Sequence, residues 1–133
     1  MNTNPRTLPV RDCLDMGVAV SGIRIARDPR PVYRLVFRLR MCNKGHRSVR
    51  LLGRKWTLRE RGGKTRIIEA AYVFNQQPVL TPGAVFSCGG CQDFDMPPTA
   101  AEVCFFGTDS RNQSFITPPL VFPRHCFTLP WQQ

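Results

Sequence analysis

At 133 residues and 42% hydrophobic content the chain is the size of one domain, able to bury roughly two thirds of its unfolded surface around a single core. It needs no cofactor and no disulfide to fold, and its six cysteines read as reduced, mostly buried thiols rather than the framework of a short secreted protein. A formal net charge of +10 says nothing about the fold but predicts a positive face attractive to phosphate, nucleic acid or an acidic partner surface.

The stretch from Met1 to Val20 is polar and broken by proline, and its apolar run from Gly17 to Val20 is too short for a signal peptide or a membrane span. A cytoplasmic protein without membrane insertion is expected, with residues 1–15 as an N-terminal extension and 16–130 as the folded core of one domain. Val18, Val20, Ile23 and Ile25 mark a first strand whose phase slips at Ser21-Gly22, a bulge signal. Asp28-Pro29-Arg30-Pro31 forces a loop, because proline lacks an amide donor and restricts the residue before it.

From Tyr33 to Met41 alternation is nearly unbroken: Tyr33, Leu35, Phe37, Leu39 and Met41 share one face, and Arg34, Val36, Arg38 and Arg40 the other. Asn43-Lys44-Gly45 tolerates positive φ and suits a tight reversal before a strand from Ser48 to about Arg59. Within that strand Gly53 marks a bulge, and Leu52, Trp56 and Leu58 are expected to point inward.

Arg61-Gly62-Gly63-Lys64 reads as a hairpin turn and Thr65 to Phe74 as the returning strand. Prolines then separate extended segments at Ala84 to Cys88, Glu102 to Phe106 and Ser114 to Leu129. Helix is limited to a turn around Thr99 to Glu102. About seven short strands divided by turn residues predict an all-β sandwich or barrel.

The charge is unevenly placed along the chain. Residues 1–66 carry 17 Lys/Arg against Asp12, Asp15, Asp28 and Glu60, a balance of +13, and residues 67–133 carry a balance of −3.

Val49-Arg50-Leu51-Leu52-Gly53-Arg54-Lys55-Trp56-Thr57-Leu58, with Asn43 before it, resembles the central signature of the ApaG family. Gln77-Pro78-Val79-Leu80-Thr81-Pro82-Gly83-Ala84-Val85-Phe86 is similar to a second family segment, and the spacing continues loosely to Pro130. The resemblance implies an immunoglobulin-like or fibronectin type III-like sandwich of about seven strands in two antiparallel sheets. Such domains stand alone in bacteria, and are fused in eukaryotic F-box proteins and a polymerase-delta-interacting protein, where they serve as interaction modules.

Bacterial members of the family carry a G-x-G-x-x-G run for which phosphate binding has been suggested. Here the equivalent positions hold Ala70, Tyr72 and Asn75. Ala70 and Tyr72 remove the permission for positive φ that glycine gives, and Asn75 partly retains it. The phosphate site is therefore not carried over. The family's label of cobalt and magnesium efflux would require a membrane span or a partner that has one.

Cys88-Gly89-Gly90-Cys91 has C-x-x-C spacing, and Cys42 lies four residues before His46, so these four form a candidate zinc set if the two segments meet. Half a zinc motif in a sandwich that needs no staple favours ordinary turn cysteines and no metal. Cys104, among Val103, Phe105 and Phe106, reads as a small core residue. Asp93 and Asp95 share a face if extended, but two carboxylates alone bind a cation weakly.

No cofactor is expected, and no nucleophile, base and orienting acid fall into a catalytic pattern, so the chain is expected not to be an enzyme. The preferred reading is a non-catalytic module that binds a protein partner through loops and a basic face. Candidate contacts are Arg34, Arg38 and Arg40, joined by Arg50, Arg54 and Lys55 if those lie nearby, with Tyr72 and Asn75 on the altered loop. The alternatives are phosphate, nucleotide or nucleic-acid binding on the same face, and divalent-metal binding or homeostasis.

Overall fold

The computed structural model describes residues 9–27 and 29–127. Over these residues two antiparallel sheets enclose the core, as the alternating pattern and the family resemblance predicted. The smaller sheet contains β1 (Leu14–Ala26), β2 (Val32–Asn43) and β6 (Val85–Phe94), with β2 in the middle. The larger is built on β3 (Val49–Glu60) and β7 (Pro98–Asp109). In it β4 (Thr65–Ala71) and the two-residue β5 (Val79–Leu80) pair with β3, while β8 (Ser114–Ile116) and the two-residue β9 (Leu120–Val121) pair with β7. Short 3-10 turns span Val10–Asp12 and Arg124–Phe127.

β1 slips register between Val20 and Gly22, where the sequence placed its bulge. The strand begins earlier than Val18, and Leu14 is already buried in the core, so the packed structure starts ahead of residue 16. Asp28 lies outside the described residues, as do the positions beyond 127.

On β2 the period-two expectation holds: Leu35, Phe37, Leu39 and Met41 are buried, and Arg34, Arg38 and Arg40 are exposed. The chain then leaves the smaller sheet for the larger one. This crossing uses no positive φ at Asn43, Lys44 or Gly45. The Asn43 side chain makes the turn instead, accepting the Gly45 amide at 2.9 Å and donating to the Arg47 and Leu80 carbonyls at 2.8 and 2.9 Å. A fully buried Asn with both ends of its amide satisfied ties the two family-like segments together, since Leu80 belongs to the second of them.

β3 bulges between Leu51 and Gly53. The bulge places Leu51, not Leu52, in the core; Trp56 and Leu58 point inward as expected. Gly53 is required by close approach, because a Cβ there would run into the Phe106 ring and the Ala70 carbonyl. Gly62 and Gly63 adopt φ of 92° and 87° in the hairpin that follows, the conformation glycine reaches without steric cost.

Two local expectations are overturned by strand pairing. Thr99 to Glu102 is not a helical turn but part of β7, paired with β3. Cys88 to Cys91 is not a turn but the middle of β6, where Gly90 lies opposite Phe37 and leaves room for its ring. Both segments are short of strand-forming residues, and the long neighbours β3 and β2 impose the extended state on them.

Trp56 and Phe37 form the centre of the core. Their rings stand 6.1 Å apart at 70°, and Phe122 lies 5.1 Å from the first and 5.3 Å from the second. Phe74 and Phe94 extend the cluster at 5.0 Å from Phe37 and 5.9 Å from Trp56. These edge-to-face contacts add to area burial, and they bridge the sheets through residues from β2, β3 and β6. The Trp56 indole nitrogen is buried with no hydrogen-bond partner.

Candidate functional site

The outward face of the smaller sheet is fixed by register. Arg34, Arg38 and Arg40 stand in file along β2. On one side they meet Arg24, Ala19 and Gly17 of β1; on the other they meet Asp93, Gly89 and Ser87 of β6. A central ridge of guanidinium groups thus runs between small residues for most of its length.

The three arginines are not equivalent. Arg34 grips Asp93 with two parallel bonds, Nε to Oδ1 at 2.7 Å and an Nη to Oδ2 at 3.0 Å. The hydrogen bond from Arg34 holds the Asp93 carboxyl below its ordinary pKa. Among the described residues Arg24, Arg38 and Arg40 have no carboxylate within salt-bridge distance. Arg24 was missed by the sequence reading, and the alternation of β1 beyond its bulge could have found it.

Arg50, Arg54 and Lys55 do not join this ridge, because β3 lies in the other sheet. Arg50 is exposed and paired in register with Thr108 and Val79. Lys55 is half-buried beside Glu69 and Cys104 on the outer face of the larger sheet.

Arg54 has a structural role. Its guanidinium donates to the carbonyls of Ala71 and Tyr72 at 3.2 and 3.0 Å, meets Gln92 Oε1 at 3.3 Å and lies 4.8 Å from the Phe74 ring centre. Burial lowers its pKa. Gln92, which reaches across from β6, was another residue the sequence did not single out.

The loop that Arg54 holds departs from the sequence expectation. Tyr72 and Asn75 both take left-handed backbone, with φ of 68° and 75°. The turn conformation that Tyr72 should have forbidden is therefore present, imposed on a residue it does not suit. It is enforced by the Arg54 bonds, by Tyr72 N–H donating to the Leu52 carbonyl at 2.6 Å, and by Gln77 donating to the same carbonyl at 3.2 Å.

The Val73 amide also bonds within the loop, to the Gln76 carbonyl at 2.8 Å. Two amides that could face an anion are thus used internally. Tyr72 is 51% exposed, whereas Phe74, two residues on, is buried in the core.

The candidate zinc set is dispersed. Cys88 and Cys91 are three residues apart on one strand and so face opposite sides of the sheet. Cys42 pairs with Val85 and Cys91 with Val36, six residues apart along β2 or about 20 Å. No group of three or more His, Cys, Asp or Glu residues is placed to hold a metal among the described residues. Asp93 and Asp95 are also separated in role, because Asp95 pairs with Arg66 at 3.1 Å.

Cys104 is not the core residue expected; it shares the outward face of β7 with Lys55, while Phe105 fills the core. Burial raises the thiol pKa of Cys88 and Cys104, and pushes that of Cys126 up to about 11. A depression of about 190 Å³ opens on the larger sheet between Thr57, Arg59, Ala100, Val121 and Arg124. No helix among the described residues is long and apolar enough to cross a membrane.

The chain matches the family model of the ApaG domain over residues 26–102. It is 38% identical over 50 residues to Protein ApaG of Paramagnetospirillum magneticum (strain ATCC 700264 / AMB-1), a match covering 38% of each chain and so well under half of that relative. Its fold is similar to that of the structural-genomics target SoR45, with a TM-score of 0.71 at 17% identity over 86% of this chain and 87% of that one. A crystal structure described for an ApaA protein of Bordetella pertussis gives a TM-score of 0.60 at 20% identity, covering 86% and 94%. With the family model spanning more than half of its length, the chain belongs to the ApaG domain family.

Proposed function

We propose that this ApaG-domain chain is a non-catalytic binding module that holds a protein partner on the outward face of its smaller sheet. The observation that carries the reading is the row of Arg24, Arg38 and Arg40, exposed and without an acidic partner among the described residues. Unpaired cations on a surface draw an opposite charge and steer association. The raised thiol pKa values support the non-catalytic part of the reading, because a nucleophilic cysteine needs its thiolate favoured. The reading includes a cytoplasmic location and excludes a zinc role for the dispersed cysteines.

Crosslinking and mass spectrometry in native lysate, with the wild type beside the Arg24→Glu/Arg38→Glu/Arg40→Glu variant, tests this. One protein partner should crosslink to the wild type and be lost from the variant. Retention of that partner by the charge-reversed face would refute the assignment of the site.

A further inference from the structure

We infer that the partner presents an extended acidic segment, with Asp or Glu at alternate residues, whose carboxylates sit beside Arg38 and Arg40, where the cross-strand neighbours Gly89 and Ser87 supply no carboxylate of their own. The inference rests on the protein-binding reading of this face and specifies the chemistry of its partner.

The face contains its own template. At Arg34 the cross-strand neighbour is Asp93, and the pair closes with two bonds at 2.7 and 3.0 Å. Four and six residues along β2, the same cross-strand positions opposite Arg38 and Arg40 hold Gly89 and Ser87. On the opposite flank they hold Ala19 and Gly17. Arg38 is already oriented toward this position, with one guanidinium nitrogen 3.8 Å from where a Gly89 Cβ would stand, and apart from Gly89 and its two chain neighbours no other residue comes within 4 Å of that point. A carboxylate supplied from outside can take the place that Asp93 takes for Arg34.

The spacing sets the sequence of the partner. Arg38 and Arg40 are two residues apart on a strand, so their Cα atoms are separated by about 6.8 Å. An extended peptide repeats its same-side carboxylates at that interval when every second residue is acidic. A helix brings carboxylates together at three and four residues instead.

Nucleic acid is the other polyanion such charge could attract. Binding to single strands depends on aromatic platforms for base stacking, and the outward positions of β2 and its neighbours here are Arg, Val, Gly, Ala, Ser, Cys and Asp. The site therefore fits carboxylates on an extended protein segment.

Fluorescence anisotropy with three labelled probes of equal net charge decides the matter. The probes are a Glu-Thr alternating peptide, a peptide of the same composition with its Glu residues in adjacent pairs separated by Thr pairs so that no two Glu residues are two apart, and a single-stranded oligonucleotide. The alternating peptide should bind the wild type most tightly, and Arg38→Gln/Arg40→Gln should weaken it about tenfold.

Gly89→Asp should weaken it comparably while leaving both arginines in place, by giving Arg38 an internal partner. Ile67→Asp, which adds the same charge to the opposite sheet, should have little effect. Ser87→Asp repeats the experiment at Arg40 should Gly89→Asp fail to fold. Equal binding of the two peptides, tighter binding of the oligonucleotide, or indifference to the internal Asp would overturn the inference. Any of these, with the native partner still lost on charge reversal, would refute the acidic-strand inference and leave the binding face standing.

Discussion

Position 72 should prefer glycine to alanine, the reverse of the usual order. Tyr72→Gly and Tyr72→Ala both delete the exposed ring, so lost packing largely cancels between them. What remains is the backbone: a φ of 68° costs an L-residue about 1–2 kcal/mol relative to its favoured conformations. Glycine escapes that strain but loses about 0.5–1 kcal/mol more chain entropy on folding than alanine. Tyr72→Gly should therefore be more stable than Tyr72→Ala by about 0.5–1 kcal/mol.

Urea unfolding followed by tryptophan fluorescence reads this difference. With a slope near 2 kcal/mol/M, the two midpoints should differ by about 0.3–0.5 M at unchanged slope. Ala70→Gly provides the opposite sign within the same segment, because Ala70 lies in β4 paired with Arg54 and has no positive φ; it should destabilise. Equal midpoints for the two variants at 72, or a higher one for alanine, would refute the claim that the loop forces strain on its tyrosine.

Three further outcomes follow from the packing. Arg54→Met should cost about 2 kcal/mol through loss of charge-assisted bonds to the loop carbonyls, with hydrogen exchange of the Tyr72 and Val73 amides accelerating first; Arg50→Met should be nearly neutral. Asn43→Ala should cost about 2–3 kcal/mol in urea unfolding, since it orphans the Arg47 and Leu80 carbonyls and the Gly45 amide in one step. Asp109 accepts the Gln113 and Arg111 amides and pairs with Arg47, and these bonds, that from Gln113 first, hold its pKa down. Its contribution is accordingly complete above about pH 4 and fades as pH falls through the lower folded pKa. Asp93 and Asp95 are shifted the same way, so the measurement is the difference between wild type and Asp109→Asn, whose stability should fall less steeply below that pH.

Much of the fold was legible because burial leaves a periodic trace. Leu35, Phe37, Leu39 and Met41 announce β2 by alternation, and the slips at Ser21-Gly22 and Gly53 mark bulges that the register confirms. The trace fails where neighbours dictate conformation. Cys88-Gly89-Gly90-Cys91 carries turn composition yet is strand, because β2 runs alongside it for ten paired residues and Phe37 needs the space over Gly90. The left-handed Tyr72 was illegible for the same reason: its φ comes from carbonyls held by Arg54, seventeen and eighteen residues away in sequence. Side-chain alternation exposed the arginines of β2, but only the sheet order could say which other cations stand beside them.

That sheet order also decides what the charge asymmetry means. A balance of +13 in residues 1–66 suggests one strongly positive surface, yet consecutive strands β2 and β3 diverge into opposite sheets after Asn43. The basic half is thereby split: Arg24, Arg34, Arg38 and Arg40 go to one outer face, and Arg50, Lys55 and Arg59 go to the other. On the larger sheet Glu69 and Glu102 lie across from Lys55 and Thr57, so that face is mixed in sign. On the smaller sheet the acidic half contributes only β6, whose outward residues beside Arg38 and Arg40 are Gly89 and Ser87. Charge is left uncompensated there by the identity of two small residues as much as by the arginines, so an aspartate at either position should quench the face without removing a single cation.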